Sequence, residues 1–429
     1  MDFSRPQVAC QLIPSAMSTF TQPNTDAAEP KKLAILSPRF WPCSGSDELA
    51  LSDLAQTLAQ QGHEVEIITP GWNNSLPAAF RFRNFNVQRI YRSTSARWGG
   101  FRYQKNLLRY LTQNPVDRLI FFNAFSEFVS LAKSLAGKTP LTVRLHDHTL
   151  TSLAGSITTK NRRANLIKIA DRVLVESEST FQLLQTAGLP TQKLAVVPEG
   201  ILPPDQPAPA FASQAVTRQA ISNSHGMLTI NPDQPLLVCG ALMDGDKGML
   251  DLVQAWKIVL RKIPAAKLWI VSQGTRSRKV WDAITSKKMI DSIIMPGQFD
   301  NYQDVFLAAD AYVHPLRGSF GCSMLTRAMM SNLCPIVTEP TATAFGLTNN
   351  RQANTAAAGN PENLANVIVQ TIQNPIERIQ IGLAAADWAM KRFHISQTAN
   401  QYLDNVSAPN TPQPLSKSLS ENQTKPKLP

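Results

Sequence analysis

A glycine-containing turn at residues 318–321 joins a short apolar strand to a helix, and this junction has the geometry of an anion-binding site. The apolar pattern predicts a strand over Ala311–His314 and a helix over Ser323–Met330. A turn that opens a helix points its backbone N–H groups outward, where they bind phosphate or carboxylate groups. No Asp or Glu occurs between His314 and Glu339, so this stretch offers amides without acids. The amides concerned belong to Ser319, Phe320 and Gly321.

Strands and helices alternate along the chain in the pattern of two doubly wound domains. The strand Lys32–Ser37, the helix Leu49–Gln61 and the strand Val65–Thr69 form one βαβ unit, which implies a parallel sheet. Further strands of this first series are predicted at Arg118–Phe122, Leu141–Leu145, Val173–Glu176 and Leu194–Val197. The strands of a second series are predicted at Pro235–Cys239, Lys267–Ser272, Ile290–Met295, Ala311–His314 and Pro335–Thr338. A chain of 429 residues is longer than the roughly 250–300 residues of a single core, so we predict an α/β protein with two Rossmann-like domains facing across a cleft.

Histidines follow one of these strands directly. His146, Asp147 and His148 come after Leu141–Leu145, and ligands of doubly wound sheets bind beyond the carboxyl ends of the strands. We expect His146 to lie at the cleft, with Asp147 or His148 available to hold its tautomer; a loop histidine bonded to backbone is the alternative. Neither GxGxxG nor GxxxxGK[ST] occurs, which argues against dinucleotide oxidoreduction and P-loop hydrolysis.

Several short segments, taken in their order along the chain, resemble landmarks of the family-4 glycosyltransferases. Ala170–Glu178 followed by Val196–Gly200 resembles the end of that family's first domain, and Ala308–Pro315 resembles the segment that leads to its donor-sugar loop. The resemblance extends from Lys32 to about Val406. It implies the GT-B fold, in which two Rossmann-like domains face each other across a cleft and a C-terminal helix crosses back to the first domain.

The resemblance also implies roles for individual residues. His146 would lie near the transferred sugar, whose hydroxyl groups Ser319 and Thr326 would hydrogen-bond. Gly45 stands where the family has a Gly-Gly pair that lets backbone approach the donor phosphate; an ordinary capped turn is the alternative. Lys247 would neutralise the diphosphate as a point charge, and a solvated lysine is the alternative. The other donor-binding residues implied are Gly248, Gly274, Gly297, Arg327 and the amides of Ser319, Phe320 and Gly321.

Three departures from the family pattern all fall in the second domain. Family members carry two Glu residues eight positions apart in the donor-sugar loop, where acids stabilise an oxocarbenium-like centre and bind the ribose. The positions that correspond in this chain are Gly318 with Thr326, or Ser319 with Arg327. Ala241 replaces an Arg that binds the diphosphate, and Ser272 replaces a glycine beneath the donor. These losses make a weakened or non-catalytic member a serious alternative.

The cysteines and the hydropathy of the chain restrict its class. Five cysteines are scattered without metal-ligand spacing, which is typical of a reduced cytosolic protein without a structural metal. No apolar run approaches the roughly 20 residues of a spanning helix, and residues 1–12 lack the apolar core of a signal peptide. Residues 1–30 and 407–429 have the polar composition of disordered tails.

The net charge of +11 is concentrated between Phe80 and Arg118, where nine basic residues meet one acid and several aromatics. One interpretation is a solvated basic face whose aromatic rings turn toward the core. Another is peripheral docking on anionic lipid headgroups, which basic-aromatic helices favour. Nucleic-acid binding is the third, and no recognised reader motif supports it.

The family resemblance implies a retaining glycosyltransferase that moves a sugar from a nucleotide diphosphate-sugar to a glycan or lipid-linked acceptor. The nucleotide-sugar is a substrate, so no cofactor and no metal are expected. The alternatives are a non-catalytic binding protein on the same scaffold and a nucleotide-sugar epimerase. The expected location is cytoplasmic, with possible attachment to the inner face of the membrane. The expected domains are a tail (1–30), an acceptor domain (31–205), a linker (206–233), a nucleotide-sugar domain (234–385), a crossover helix (386–406) and a tail (407–429).

Overall fold

The computed structural model describes residues 31–42, 45–72, 76–93, 99–123, 125, 128–146, 164–204, 211–240, 248–271, 277–297, 299, 302–316 and 323–407. Within this part of the chain two sheets form, and apolar clusters lie on both faces of each. The α/β fold with two Rossmann-like sheets is therefore confirmed. None of the helices in the described ranges has the length and apolar character needed to cross a bilayer.

The first sheet has eight strands in the order β3-β4-β2-β1-β5-β6-β7-β8. Its strands are β1 (Lys32–Leu36), β2 (Glu64–Gly71), β3 (Ala79–Phe82), β4 (Phe85–Tyr91), β5 (Arg118–Phe122), β6 (Leu141–Leu145), β7 (Arg172–Val175) and β8 (Leu194–Val196). All neighbouring strands are parallel except the β3–β4 hairpin. The helices are α1 (Ser46–Gln60), α2 (Gly99–Gln113), α3 (Val129–Leu135) and α4 (Glu178–Thr186), with a 3-10 turn at Thr191–Lys193.

The second sheet has six parallel strands in the order β11-β10-β9-β12-β13-β14. Its strands are β9 (Leu236–Cys239), β10 (Lys267–Ile270), β11 (Ile293–Ile294), β12 (Ala311–His314), β13 (Cys334–Thr338) and β14 (Asn354–Ala356). The helices that accompany it are α5 (Phe211–Ser224), α6 (Gly248–Lys262), α7 (Ser277–Ser286), α8 (Gln303–Ala308), α9 (Ser323–Met330), α10 (Glu339–Phe345), α11 (Pro361–Gln373) and α12 (Pro375–Phe393). α5 lies in the segment expected to link the domains, yet Ile221 packs into the second sheet's core.

The last helix, α13 (Ile395–Ser407), returns to the first sheet, as the family resemblance implies, although it begins nine residues later than the crossover helix expected at 386–406. Ile395, Ala399 and Tyr402 are at most 2% exposed and belong to the same apolar cluster as β1 and α1. The chain turns at His394, where backbone hydrogen bonds join Ile201 to Phe393 and to Ile395. The first core is therefore completed by residues from the end of the chain.

Three aspartates hold the starts of neighbouring strands in register. Asp117, just before β5, accepts the Lys32 N–H at 2.7 Å, and Asp171, just before β7, accepts the Leu141 N–H at 2.8 Å. Asp310 repeats this arrangement in the second sheet, accepting the N–H of Leu236 at 2.7 Å. The Ala-Asp pairs that resemble family landmarks thus have a structural role at the amino ends of strands, opposite the edge where ligands bind.

The basic-aromatic segment 80–118 forms a hairpin and a helix, neither of which the apolar periodicity predicts. Phe82 packs edge-on against Phe40 with ring centroids 5.4 Å apart. Arg89 is buried, lies 4.5 Å from the centre of the Phe80 ring and donates to the Trp41 carbonyl at 2.6 Å. Aromatic rings of the hairpin therefore turn inward, whereas Tyr91 and Phe101 are exposed, so the segment matches neither interpretation throughout.

Candidate active site

Three ionisable side chains meet where strands β6, β7 and β8 end. His146 follows β6 directly, Glu176 follows β7 directly, and Glu199 lies three residues beyond β8. Because these strands are neighbours in the sheet, their carboxyl ends bring the three residues together. One potential ligand atom from each side chain lies within 4.8 Å of the others. We call these three residues the acid-histidine cluster.

Glu176 is the centre of the cluster because it binds two partners. His146 Nδ1 lies 2.6 Å from its Oε1, and Arg144 donates an N–H to the same oxygen at 3.3 Å. Arg144 also donates to the carbonyl of Val197 and lies 5.9 Å from the centre of the Tyr402 ring. Since the side chains of Arg144 and His146 are each only 2% exposed, Glu176 supplies the negative charge that their burial requires.

The cluster changes the proton affinity of its members. Burial alone lowers the pKa of His146, but the adjacent Glu176 carboxylate outweighs it and raises that pKa to about 9. Burial, together with the charge of Glu176, raises the pKa of Glu199 to about 7. His146 therefore carries a proton at neutral pH, whereas Glu199 exchanges one there. Glu199 Oε1 is buried and has no hydrogen-bond partner among the described residues.

The acid-histidine cluster also has the ligand types of a cation site, and its charges argue against that use. Glu176 is already bound by His146 and Arg144. The Arg144 guanidinium repels a cation, and a protonated histidine cannot coordinate a metal. The geometry thus fits proton transfer and hydrogen bonding better than metal binding.

The described ionisable residues at the matching edge of the second sheet do not gather into a comparable cluster, and Glu339, directly after β13, is exposed. His314 ends β12, is fully buried and has its pKa lowered to about 4 by that burial, so it is neutral at physiological pH. Thr326 on α9 is 4% exposed. Arg327, one residue on, binds Asp53 of α1 at 2.6 Å and so connects the two halves of the molecule. A direct contact of Thr326 or Arg327 with a donor stays a prediction.

Three predicted glycines have geometry that a side chain would disturb. A Cβ at Gly248, the first residue of α6, would collide with the Pro315 carbonyl beside the exit of β12. Gly297 has a φ of +101°, in the left-handed region that glycine favours. Gly45 precedes α1 in an extended conformation, and a Cβ there would collide with the Glu48 carboxylate. Local geometry accounts for all three: a backbone contact at Gly248, a positive φ at Gly297 and a side-chain contact at Gly45, so their donor-binding roles stay predictions.

Several predicted donor-binding residues lie outside the described residues. They are Lys247, Gly274, Ser319, Phe320 and Gly321. The flanking elements agree with the sequence prediction, since β12 and α9 have the predicted bounds on either side of residues 318–321.

Comparison with protein families matches each half of the chain to a glycosyltransferase model. Residues 48–203 match the model "Glycosyltransferase Family 4", and residues 233–374 match "Glycosyl transferases group 1". The chain belongs to the glycosyltransferases. No curated protein sequence matches this glycosyltransferase.

Solved structures of other glycosyltransferases share its fold. HepE from Anabaena, in complex with UDP and glucose, is 16% identical with a TM-score of 0.69, covering 88% of this chain and 99% of HepE. Sucrose-phosphate synthase from Thermosynechococcus elongatus is 16% identical with a TM-score of 0.68, covering 87% and 98% of the respective chains. TarM from S. aureus, with UDP and alpha-GlcNAc-glycerol, is 11% identical with a TM-score of 0.66, covering 88% and 100%. This glycosyltransferase therefore has the GT-B fold.

Sequence reasoning identified His146 and missed its acidic partners. Glu176 and Glu199 both lie in segments that resemble family landmarks, but neither was predicted as a site residue. A usable signal existed, because each acid follows a strand of the first series within three residues. Acids at that edge of a parallel sheet are candidates for a common site.

Proposed function

We propose that this glycosyltransferase transfers a sugar from a nucleotide diphosphate-sugar to an acceptor hydroxyl, with retention of anomeric configuration. The observation that carries the proposal is the acid-histidine cluster at the carboxyl edge of the first sheet in a GT-B glycosyltransferase. HepE is described in complex with UDP and glucose, and TarM with UDP and a sugar-bearing glycerol. The same ligand classes, a nucleotide-sugar donor and a glycan or lipid-linked acceptor, are proposed here.

In this proposal the protons of the cluster serve the reaction. The bond from the anomeric carbon to the diphosphate breaks first and leaves its electron pair on the diphosphate oxygen, and the acceptor oxygen then bonds to the oxocarbenium-like carbon on the same face, which retains the configuration. The Glu199 carboxylate takes the proton of the acceptor hydroxyl, since its pKa lies near 7. Protonated His146 stabilises the negative charge that develops beside the sugar. Lys247 and the amides of residues 319–321 neutralise the diphosphate.

Glu199 is also our candidate for the carboxylate that the donor-sugar loop lacks. Residues 315–338 contain no acid, and Glu176 is bound by Arg144 and His146. The charge of Arg327, from the second half of the chain, lowers the pKa of Glu199, so the two groups are near each other. An acid from the first domain would thus face the donor.

A non-catalytic binding protein is the second candidate, and one observation favours it. Arg327 stands at one of the positions expected for a donor-loop Glu, and its guanidinium is bound to Asp53 at 2.6 Å. Such a protein would bind a nucleotide or a sugar without transferring it.

Calorimetry with a panel of UDP- and GDP-sugars, followed by mass spectrometry and proton NMR of products, separates these candidates. Donor binding with slow hydrolysis or transfer, and an anomeric configuration identical in donor and product, supports the retaining transferase. Binding without turnover supports the second candidate. Absence of binding to every nucleotide would contradict both.

Docking on a membrane is a further part of this proposal. On α2, Tyr103, Leu107 and Leu111 are buried, while Phe101 is 67% exposed beside the exposed basic residues Arg102, Lys105 and Arg109. An exposed aromatic ring within a basic face favours the interface of an anionic bilayer. Flotation with phosphatidylglycerol vesicles should retain the protein and lose it after Phe101→Ser with Lys105→Ser. Retention of that double variant, or equal binding to neutral vesicles, would contradict the docking.

A further inference from the structure

A cavity of about 370 Å³ lies between the two halves of the molecule, apart from the acid-histidine cluster. One wall is α1, through Asp53 and Gln56, and the opposite wall is formed by α8 and α9, through Phe306 and Arg327. Pro203 and Pro204, where the chain leaves the first sheet, line a third side. We call this space the hinge cavity. Its volume is within the range of small-molecule sites in proteins.

The hinge cavity is displaced from the edge where a nucleotide-sugar would bind, so Arg327 is assigned to the cavity in place of its predicted contact with the donor. In a βα unit the helix runs back from the carboxyl end of the strand toward its amino end. Asp53 is seven residues into α1, about 10 Å along its axis, and Arg327 is four residues into α9, about 6 Å along its axis. The cavity therefore lies below the strand ends and beside the chain that connects the sheets.

The charges of this cavity are unbalanced. A single carboxylate, that of Asp53, serves two guanidinium groups, Arg327 at 2.6 Å and Arg83 at 3.4 Å. Arg83 also donates to Gln56 Oε1 at 2.5 Å. The Nε of Arg327 is buried and has no hydrogen-bond partner among the described residues. Among the described residues that line the cavity, one positive charge and one buried N–H donor thus remain without compensation.

The remaining surface of the hinge cavity fits the body of a small polar molecule. Leu49, Leu202 and Phe306 give apolar contact, while Gln56, Gln303 and Ser331 offer hydrogen-bonding groups. Sugars combine apolar ring faces with hydroxyl groups, and arginine pairs bind phosphate through charge-assisted hydrogen bonds. We propose that the hinge cavity binds a phosphate monoester of a small sugar, with Arg83 and Arg327 on the phosphate.

Glucose 6-phosphate is the probe, and isothermal calorimetry with the full chain is the measurement. The proposal expects saturable binding of glucose 6-phosphate with no binding of glucose at the same concentrations. Arg83→Gln should weaken this binding about tenfold, because it removes one charge-assisted contact contributed by a partly exposed residue. Arg81→Gln is the matched control, since exposed Arg81 lies on β3 and does not line the cavity.

For a second variant we expect the opposite change in the affinity for glucose 6-phosphate. Asp53→Asn removes the carboxylate that competes with a phosphate for both arginines, so it should strengthen glucose 6-phosphate binding about tenfold or more. Circular dichroism establishes that each variant is folded.

Three results would overturn the proposal: no saturable binding, equal binding by the wild type and Arg83→Gln, or weaker binding by folded Asp53→Asn. Displacement of glucose 6-phosphate by UDP would also overturn it, because the ligand would then occupy the nucleotide site. The experiment requires no sugar transfer, so its outcome is independent of the proposed function.

Discussion

At the carboxyl edge of the first sheet, Arg144, His146, Glu176 and Glu199 bring buried and half-buried charges together, whereas the described ionisable residues at the second sheet's edge are the separate groups His314, Arg327 and the exposed Glu339. His314 is held neutral by burial, and Arg327 is paired with Asp53. The sheets share their parallel topology, so the difference lies in the side chains that follow each strand. Ionisable chemistry is concentrated on the side that the family resemblance assigns to the acceptor.

This contrast teaches that the two sheets of one GT-B scaffold can share structural landmarks while carrying different polar residues. Asp171 and Asp310 carry out the same backbone pairing in both sheets. The acids expected in the donor-sugar loop are absent from the sequence there, and two acids lie beside His146 instead. If the charged residues of the first sheet take part in the reaction, substituting them should lower activity; if they only stabilise the fold, substituting them should lower stability alone.

The largest effect is expected at His146. Replacing His146 with Ala should lower kcat about 1,000-fold, because the protonated ring near the transferred sugar is lost. The donor dissociation constant, measured by calorimetry, should change less than threefold. Transfer assays on the most active donor test this, with Glu178→Gln on the surface of α4 as the control. A variant that keeps wild-type kcat would place catalysis away from the acid-histidine cluster.

Substitutions at Asp310 and Asp117 compare how much the equivalent aspartates of the two sheets contribute to the free energy of unfolding. Asp310 binds Arg218 at 2.9 Å and Arg378 at 3.3 Å in addition to the Leu236 N–H, so Asp310→Ala leaves two largely buried guanidiniums without their carboxylate. We expect a loss of about 3 kcal/mol in the free energy of unfolding. Asp117→Ala removes one exposed hydrogen bond and should cost about 1 kcal/mol. Urea denaturation of both variants measures the difference, and equal losses would contradict it.

The pH dependence of stability isolates Glu199. Its pKa is about 7 in the folded protein and 4.5 ordinarily, so between these values the unfolded chain binds fewer protons than the folded one. The free energy of unfolding therefore falls as pH rises from 4.5 to 7, by at most about 1.4 kcal/mol per unit. Glu199→Gln should remove this slope.

Titration of His146 makes the free energy of unfolding depend on pH in a second, higher pH range. Its raised pKa gives stability that is fully present below pH 6.5 and is lost as pH rises through about 9. This upper part of the profile should remain in Glu199→Gln, although the two groups interact. Glu362→Gln, on the exposed face of α11, is the control. An unchanged slope below pH 7 in Glu199→Gln would contradict the assignment.

The smallest effect is expected for the predicted donor lysine. Lys247→Ala should weaken UDP-sugar binding about tenfold, which corresponds to about 1.4 kcal/mol, because one point charge toward the diphosphate is lost. Calorimetry against the wild type measures it. A variant that binds the donor as tightly as the wild type would refute the diphosphate role of Lys247.

Much of the fold is predictable from sequence because buried parallel strands are short apolar runs between helices. β12 and α9 have the predicted bounds. The β3–β4 hairpin was missed because its stability depends on distant aromatic residues, such as Phe40 with Phe82, which no local periodicity reveals. The strand predicted at Ile290–Met295 is reduced to Ile293–Ile294, since the residues before it form a turn.

The candidate site was predicted only in part, because it too depends on contacts between segments that are distant in the sequence. His146 was predictable because it ends a clear apolar strand. Its pairing with Glu176 depends on β6 and β7 being neighbours, and that is a property of the sheet order. The pKa values of the cluster depend further on burial beneath residues far away in the chain. It is therefore easier to predict from sequence which side chains are able to react than to predict which of them lie in contact in the fold.

The return of α13 to the first sheet has a consequence for how the chain is made. The first core contains Ile395, Ala399 and Tyr402, which leave the ribosome roughly 340–370 residues after the α1 and β1 residues that they cover. At a synthesis rate of about 5–20 residues per second, that interval is about 20–70 s. During this interval, part of the apolar surface of α1 and β1 is exposed to solvent. The nascent first half must therefore be protected by chaperones or by transient contacts. Completion of both domains is thereby tied to the arrival of one terminal helix.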